Sequence, residues 1–305
     1  MRIFLTGASG FVGSFLLRNL LGKGHKVAVV LRTPETAWRI RDLISDTWLM
    51  QGDLGKLNTF ETQLKDFQPT AFVHLAWNGV SGSDRNAPMQ WRNVADTLEL
   101  VEMASRVGAQ HWIGLGSQAE YGPCQNRINE TAPTKPTTLY GVSKLASCTL
   151  SERLCHELGI RHAWLRLFSS YGPRDNPNWL IPYLTRTLLA RQKPSLTGAE
   201  QFWDYIYVED VASAIQAVLE THEATGIFNL GSGYAPRLRT VIEKIRDSVD
   251  PSLPLGFGEV PYRPDQVMHL EADITRLIKL TGWLPKVEFS TGIEKTVDWF
   301  AKNKS

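Results

Sequence analysis

Tyr140 and Lys144 are the two residues whose types and spacing most clearly allow chemistry. In "LYGVSK" they lie four residues apart, so on a helix they share one face. A phenol, with an unperturbed pKa of about 10, is a poor acid–base catalyst at neutral pH, but a neighbouring ammonium stabilises the phenolate and lowers that pKa. The pair therefore predicts proton transfer by Tyr140, assisted by Lys144. The same spacing also arises by chance on helix faces, so its weight depends on the surrounding sequence.

Ser117 is the third catalytic candidate, because it ends the β-rich run "HWIGLGS" (111–117). A hydroxyl at the end of a strand could hold a substrate carbonyl or alcohol beside Tyr140. Serine, tyrosine and lysine together predict acid–base chemistry on an oxygen-bearing carbon.

Three glycines of "TGASGFVG" (6–13) follow an apolar run and precede an apolar helical pattern. Gly7 permits a tight turn, Gly10 lets the backbone approach a phosphate, and Gly13 lets the helix pack on the strand. The helix N-terminus then offers N–H groups and a partial positive charge to a pyrophosphate. This arrangement predicts a dinucleotide-binding turn; the alternative is a glycine-rich loop without a ligand.

Arg32 bears on which dinucleotide binds. NAD-binding chains usually place Asp or Glu at the end of the second strand, but "VAVVLRTPET" has Arg32 there and no acid before Glu35. A guanidinium pairs with a 2′-phosphate, which favours NADP, with NAD as the alternative. Arg32 as an ordinary solvated loop residue is the other interpretation. Asp53, in "QGDL", is expected beside the adenine amino group.

Short β-rich runs alternate with amphipathic helical stretches through the first 170 residues. This alternation predicts an α/β protein with a Rossmann-type, doubly wound parallel sheet. The expected strands are 2–6, 25–31, 48–53, 70–77, 111–117 and 162–168. Prolines and aromatic residues then become dense, which predicts a smaller C-terminal substrate-binding domain over residues 171–305. The N-terminal cofactor domain would span 1–170 and recover one strand near 226–231, so the boundary is expected to be discontinuous.

The bulk composition argues against several classes of partner. The 305 residues are 43% hydrophobic and 21% charged, and 33 Lys and Arg balance 31 Asp and Glu to a net charge of +2. We therefore expect no nucleic-acid partner and no membrane partner. The three cysteines form no CxxC pair, so we expect reduced thiols, no metal site and a cytoplasmic location.

Taken together, these features resemble the extended short-chain dehydrogenase/reductase family, in its nucleotide-sugar branch. The motifs that carry the resemblance are "TGASGFVG", "GDL", "HLAW", "NVADT", "GSQAEYG", "YGVSK", "RLFSSYGP", "DYIYVEDVASA" and "YRPDQ". It implies that Tyr140 is the acid/base, that Lys144 holds the nicotinamide ribose and lowers the tyrosine pKa, and that Ser117 orients the sugar oxygen. Asn93 would support the site from its helix, and Arg263 would pair with the substrate diphosphate.

The resemblance also assigns the two sets of binding residues. Those for the cofactor are Gly7, Ser9, Gly10, Phe11, Val12, Gly13, Arg32, Asp53, Leu54, Leu75, Ala76, Trp77, Asn93, Tyr140 and Lys144. Those for the substrate are Ser117, Gln118, Ser169, Trp179, Trp203 and Arg263.

Several departures from the family pattern narrow the reaction. The nucleotide-sugar 4,6-dehydratases of the family carry an Asp-Glu pair where this chain has Gln118 and Ala119, so dehydration is not expected. Ser169 stands where asparagine is frequent, and Trp203 where arginine is frequent. Trp203 could stack on a base or sugar. Trp77 stands where a small residue is common, and both tryptophans could instead be core residues.

Two reactions remain open, together with two less favoured interpretations. Arg32 favours an NADPH-dependent reductase of a nucleotide-activated 4-keto-6-deoxy sugar. The alternative is a nucleotide-sugar 4-epimerase that holds its NAD(P) tightly. A non-catalytic dinucleotide-binding sensor and a reductase of non-sugar ketones are less favoured. Apolar residues on more than one face of helices 89–107 and 138–158 predict a homodimer.

Overall fold

Parallel β-structure dominates the chain in this computed structural model, which describes residues 1–262 and 266–303. The strands are β1 (Arg2–Thr6), β2 (Lys26–Leu31), β3 (Trp48–Gln51), β4 (Ala71–His74), β5 (His111–Ser117), β6 (Arg161–Leu167), β7 (Ser169–Tyr171), β8 (Phe202–Trp203), β9 (Tyr205–Tyr207), β10 (Gly226–Leu230) and β11 (His269–Leu270). Seven of them form one sheet in the order β10-β6-β5-β4-β1-β2-β3, and every neighbouring pair is parallel.

Helices cover both faces of this sheet. The helices of the described residues are α1 (Phe11–Gly22), α2 (Glu61–Phe67), α3 (Gln90–Arg106), α4 (Leu139–Glu157), α5 (Leu180–Leu189), α6 (Val208–Glu220), α7 (Leu238–Val249), α8 (Thr275–Thr281) and α9 (Phe289–Lys302). Helix α1 packs beside α6, and α3 packs beside α4. Because strand side chains alternate, Ile3 and Leu5 join the apolar cluster of α1 and α6, whereas Phe4 joins that of α3. The predicted doubly wound α/β fold is confirmed.

The strand order places the site. Successive strands are added on one side of β1 up to β3 and on its other side from β4 onward, so the strand order reverses between β1 and β4. Ligands of doubly wound sheets bind at the carboxyl ends of the strands at this point. The segments that leave β1, β4 and β5 there begin with Gly7, Leu75 and Gln118. Two predicted strands end earlier than expected, at Gln51 and His74, so the residues that follow them are loops at this edge.

A third apolar cluster lies in the second half of the chain, where α5, α7 and α9 bury Leu184, Leu188, Val241, Ile245 and Ile293. Two small parallel pairs, β7 with β9 and β8 with β11, accompany it. Strand β10 pairs with β6 in the main sheet, although it comes from this half of the chain. The division at residue 170 stays a prediction. Within the described ranges, no helix has both the length and the hydropathy needed to cross a membrane.

Asp204 ties the second half together at the point where β8 passes into β9. Its Oδ1 accepts hydrogen bonds from the N–H and the hydroxyl of Ser232 at 2.8 and 2.6 Å. Its Oδ2 accepts from the N–H groups of Gly233 and Ala272, both at 3.1 Å. Burial raises the pKa of this carboxyl, while the hydrogen bonds from Ser232 lower it. The carboxylate thus fixes the neighbouring Trp203 relative to the end of β10.

Candidate active site

The turn after β1 accepts only glycine at two positions. Gly7 has φ +75°, and a Cβ there would lie 2.7 Å from the amide nitrogen of Ala76. A Cβ on Gly13 would lie 2.0 Å from the carbonyl oxygen of Gly7. Gly10 donates its N–H to that same oxygen at 3.0 Å. The turn therefore presses the start of α1 against the ends of β1 and β4, as the spacing predicts.

The N-terminus of α1 fits a pyrophosphate. Gly10 is the N-cap and provides no side-chain cap, and the first turn contains no acidic residue. The first N–H groups of a helix have no intrahelical acceptor, so those of Phe11, Val12 and Gly13 are suited to phosphate oxygens. Ser9, in the turn itself, is half-buried. These observations fit the dinucleotide that the sequence predicts.

The residues expected around the adenosine lie together at the ends of β2 and β3. Arg32 directly follows β2 and is exposed. The backbone of Gly52 donates to the carbonyl of Leu31 at 3.1 Å, which joins the two strand ends. Asp53 is exposed and accepts the N–H of Gly55 at 2.9 Å, and Leu54 is half-buried. An exposed guanidinium at the end of β2 suits a 2′-phosphate, and the choice between NADP and NAD stays a prediction.

Ser117 and Tyr140 meet at the carboxyl edge of β5. Thr138 caps α4 by accepting the N–H of Gly141 at 3.1 Å, which places Tyr140 in the first turn of the helix. Both side chains are buried. Burial raises the pKa of Tyr140, whereas its hydrogen bond with Ser117 and the charge of Arg85 lower it. The net direction is upward, which differs from the lowered pKa that the sequence predicts, because desolvation of the phenolate is the largest effect.

Lys144 lies one turn further along α4 and is buried. Its Nζ donates to the carbonyl oxygen of Leu115 at 2.5 Å and lies 3.7 Å from the centre of the Trp77 ring. Burial lowers the pKa of Lys144 to about 7, and the carboxylate of Glu120 opposes that shift. The aromatic face partly replaces the lost hydration of the ammonium. Burial therefore disfavours the charged form of this lysine relative to an exposed one.

Trp77 and Asn93 shape the loop after β4. The Trp77 indole lies edge-on to Tyr140, with ring centres 6.0 Å apart, and donates to Gln90 Oε1 at 2.9 Å. Asn93 is buried and bonds the backbone of Asn78 in both directions, accepting its N–H at 2.9 Å and donating to its oxygen at 3.0 Å. Its amide thus holds the loop that carries Trp77. Leu75 and Ala76 lie in this loop against Gly7.

Sequence reasoning missed three charged residues at this site. The Arg85 guanidinium lies 4.7 Å from the centre of the Tyr140 ring. Glu120 and Arg166 form an ion pair of 2.7 Å under Ser117, and both are buried. A signal for this pair was present, since an arginine in the apolar run "HAWLRLF" needs a buried partner. No sequence signal singled out Arg85.

The residues expected to bind substrate are less closely grouped. Gln118 directly follows Ser117 and is half-buried. Trp203 donates its indole N–H to Ser169 Oγ at 2.7 Å, so two departures from the family pattern contact each other. Trp179 is the N-cap of α5 and is 40% exposed. Arg263 lies outside the described residues. The roles of these residues stay predictions.

The parallel sheet, the glycine turn and the grouping of Ser117, Tyr140 and Lys144 define an extended short-chain dehydrogenase/reductase. The chain belongs to the NAD dependent epimerase/dehydratase family, which it matches over residues 3–231. It is therefore an enzyme of a family that acts on nucleotide sugars with a nicotinamide dinucleotide.

Relatives of two activities align with nearly the whole chain. A UDP-glucose 4-epimerase of Azospirillum brasilense is 27% identical, covering 97% of this chain and 90% of the relative. A dTDP-glucose 4,6-dehydratase of Xanthomonas campestris is 26% identical, covering 99% and 93%. The UDP-glucose 4-epimerase of Thermus thermophilus, solved in complex with NAD, superposes with a TM-score of 0.85 at 26% identity over 100% of both chains.

Proposed function

We propose that this chain is a nucleotide-sugar 4-epimerase that holds its dinucleotide through the reaction. The observation that carries the proposal is the grouping of Ser117, Tyr140 and Lys144 at the edge of the sheet where the glycine turn also lies. The similarity to 4-epimerases over nearly the full chain supports it further. The sequence leaves two reactions open, and the comparisons favour 4-epimerisation over the NADPH-dependent reduction.

Each catalytic residue has a defined task in this reaction. The dinucleotide, when bound, supplies the acceptor and later the donor of a hydride. Tyr140 takes the proton of the sugar C4 hydroxyl as that carbon loses its hydride, and returns the proton when the hydride comes back to the opposite face. Ser117 hydrogen-bonds the sugar oxygen in both steps, and the Lys144 ammonium stabilises the phenolate form of Tyr140 that accepts the proton in the first step and is regenerated in the second. Atoms and electrons balance, because the product differs from the substrate only in configuration.

Gln118 and Ala119 argue against the dehydratase activity of other relatives. Elimination of water from the sugar requires a residue that donates a proton and another that removes one. An amide and a methyl group can do neither at neutral pH. Both residues directly follow Ser117, at the positions where the family's dehydratases carry their Asp-Glu pair.

Trp203 and Ser169 are proposed to contact the nucleotide sugar. Their hydrogen bond holds the indole of Trp203, which stands where many family members have an arginine. The aromatic face suits a base or a sugar ring. Arg263 is proposed to pair with the substrate diphosphate, as the resemblance implies, and Trp179 to contact the substrate.

Arg32 favours a second candidate, the NADPH-dependent reduction of a nucleotide 4-keto-6-deoxy sugar. An exposed guanidinium at the end of β2, with no acid before Glu35, would bind the 2′-phosphate of NADP. In that reaction Tyr140 donates a proton to the developing alkoxide and Ser117 steadies that oxygen.

A homodimer in the cytoplasm is proposed for either reaction. Apolar side chains remain exposed on α3 and α4, with Trp91 at 62%, Val142 at 47% and Leu150 at 47%. A second copy packed on these helices would cover them.

One experiment separates the two reactions. The purified protein is incubated with UDP- and dTDP-hexoses in the presence of catalytic NAD or NADP, and the 4-epimers are separated by chromatography. In parallel, oxidation of NADPH or NADH is followed with nucleotide 4-keto-6-deoxy sugars. Epimer formation without net cofactor reduction supports the proposal, whereas stoichiometric NADPH oxidation supports the reductase. The absence of both activities would contradict both functions.

A further inference from the structure

We propose that Glu120, held by Arg166, is a positioning residue that sets the charge state of Tyr140 and Lys144 from beneath Ser117. The inference deepens the proposed function and rests on it, because it concerns the same proton-transfer centre. Glu120 lies in "GSQAEYG", the segment that contains Ser117 and Gln118, and the proposed reaction gives Glu120 no direct role.

Glu120 is completely enclosed and has three partners. Its Oε1 accepts the backbone N–H of Ser117 at 2.8 Å and the indole N–H of Trp164 at 3.0 Å. Its Oε2 accepts the Nε–H of Arg166 at 2.7 Å. A carboxylate with 0% exposure is costly unless it is paired in this way. Because this carboxylate bonds the backbone of the catalytic serine, it also helps to position that residue.

The first effect is mechanical, on Ser117. The Ser117 hydroxyl accepts the N–H of Ala119 at 3.2 Å while Glu120 bonds back to the Ser117 N–H, which is a capping box. These reciprocal hydrogen bonds fix the turn that leaves β5. Helix α4, which carries Tyr140, packs directly against the same turn.

The second effect is electrostatic. The centre of the Trp164 indole, which donates to Glu120, lies 5.9 Å from Lys144 Nζ, so the carboxylate and the ammonium both lie beside the same ring. Glu120 raises the pKa of Lys144 against the lowering effect of burial, and it also raises the pKa of Tyr140. Arg166 offsets part of this negative charge through its ion pair with Glu120, and its guanidinium also lies 4.5 Å from the centre of the Tyr121 ring. The carboxylate therefore opposes deprotonation of both groups, and its loss leaves Arg166 as an uncompensated positive charge.

Other charged and titratable groups face this centre from the surrounding elements. Arg85 covers the Tyr140 ring from the turn at 82–86, and the pKa of His74 on β4 is lowered to about 3 by burial and Lys144, so this imidazole is neutral. Cys148, one turn beyond Lys144 on α4, has a raised pKa because of burial and is also neutral. Neither neutral group can replace the negative charge of Glu120.

The test compares three variants of this ion pair with one control. Glu120→Gln retains an oxygen for the Ser117 N–H but removes the charge, so both limbs of the pH profile of kcat move to lower pH by about one unit. Arg166→Gln leaves the carboxylate uncompensated and moves both limbs to higher pH. The double variant restores neutrality and returns the profile to that of the wild type. Asp42→Asn removes a carboxylate of an exposed ion pair with Arg18 and leaves the profile unchanged.

A second readout needs no substrate and separates this inference from the proposed function. Absorbance of tyrosinate is titrated in each variant, and the same titration in the matching Tyr140→Phe background is subtracted. The difference reports Tyr140, and its apparent pKa is expected to fall in Glu120→Gln and to recover in the double variant. If no tested sugar turns over, this titration still decides the matter.

Two results would overturn the proposal. One is a Glu120→Gln profile and titration that coincide with those of the wild type. The other is a loss of kcat by the same factor at every pH, unrelieved in the double variant, which would mean a purely structural role. If Glu120→Gln fails to fold, the pH profile of kcat of Arg166→Gln tests the proposal instead. A profile of Arg166→Gln that is not shifted from that of the wild type then rejects the proposal.

Discussion

The cofactor edge of the sheet and the second half of the chain build their sites in different ways. At the cofactor edge, by which we mean the carboxyl ends of β1, β4 and β5, backbone geometry determines the site. Gly7 and Gly13 have no room for a side chain, and Ser117 is the last residue of a strand. In the second half, contacts between residues that are distant in sequence decide, such as Trp203 with Ser169. A site of the first kind can therefore be recognised in the sequence from a short contiguous motif. A site of the second kind leaves no contiguous motif, and this is the half of the chain where the substrate is proposed to bind.

Replacing Tyr140 by Phe should have the largest effect. Removing the proton donor and acceptor is expected to lower kcat by about 10³-fold, because acid–base catalysis by a positioned group contributes on this order. Binding of the dinucleotide, measured by fluorescence titration, should stay within about twofold of wild type (about 0.4 kcal/mol). Turnover close to that of wild type would contradict the assignment of Tyr140.

Gly13→Ala tests the geometry of the cofactor edge. The added Cβ would lie 2.0 Å from the Gly7 oxygen, so the turn must open. We expect a loss of about 2 kcal/mol in the free energy of unfolding together with weaker dinucleotide binding. Gly22→Ala in the same helix is the matched control, because its Cβ meets nothing within 4 Å. Equal behaviour of the two variants in thermal unfolding and binding would show that the turn is not constrained.

Asp175 lowers the stability of the folded second half of the chain in a pH-dependent way, and it takes no part in the proposed reaction. Burial raises its pKa to about 7, while the Asn176 N–H and the charge of Arg39 lower it. Because the folded-state pKa lies above the unfolded value of about 4, wild type loses stability as the pH rises from about 4 to about 7. Asp175→Asn should therefore be more stable than wild type by roughly 4 kcal/mol at about pH 8, and much less so at about pH 4.

Urea unfolding of both proteins at the two pH values measures this difference. A stability gap that is the same at both pH values would show that Asp175 does not titrate in the folded chain between them. Asp42→Asn serves as the reference, because the pKa of Asp42 is lowered to about 2 through its hydrogen bond with Arg18. This variant should be less stable than wild type at both pH values.

Arg32→Asp tests the end of β2, where this chain has an arginine in place of the acidic residue that is usual in NAD-binding chains. Exchanging a guanidinium for a carboxylate should change the ratio of NADPH to NADH affinity by about tenfold or more towards NADH. Both affinities are measured by fluorescence titration. An unchanged ratio would remove the argument for NADP and, with it, the main support for the reductase.

Trp203→Phe should have the smallest effect. It removes the hydrogen bond to Ser169, with a net contribution of about 1 kcal/mol, but retains an aromatic ring. KM for the nucleotide sugar should rise a few fold while kcat stays unchanged. Ser169→Ala removes the other partner, and the double variant should be no worse than either single one. Additive losses would mean that the two residues act separately.

Features that depend on chain periodicity and on glycine could be predicted from the sequence. The six strands of the first half and the start of α4 lie within a few residues of their predicted positions. Contacts between side chains that only the fold brings together could not be predicted. Glu120 and Arg166 are 46 positions apart, and Arg85 reaches Tyr140 from a short turn with no periodic pattern. The direction of the Tyr140 pKa also depended on burial, which no local motif specifies.

Epimerisation by this site requires that a hydride leaves C4 of a nucleotide hexose and returns to the same carbon. Incubation of the enzyme with nucleotide hexoses deuterated at C4, followed by mass spectrometry of the 4-epimer, follows that hydride. We expect an epimer that retains its deuterium at C4, with no accumulation of reduced cofactor. Loss of the deuterium to solvent, or its appearance in released NADH or NADPH, would contradict the proposed reaction.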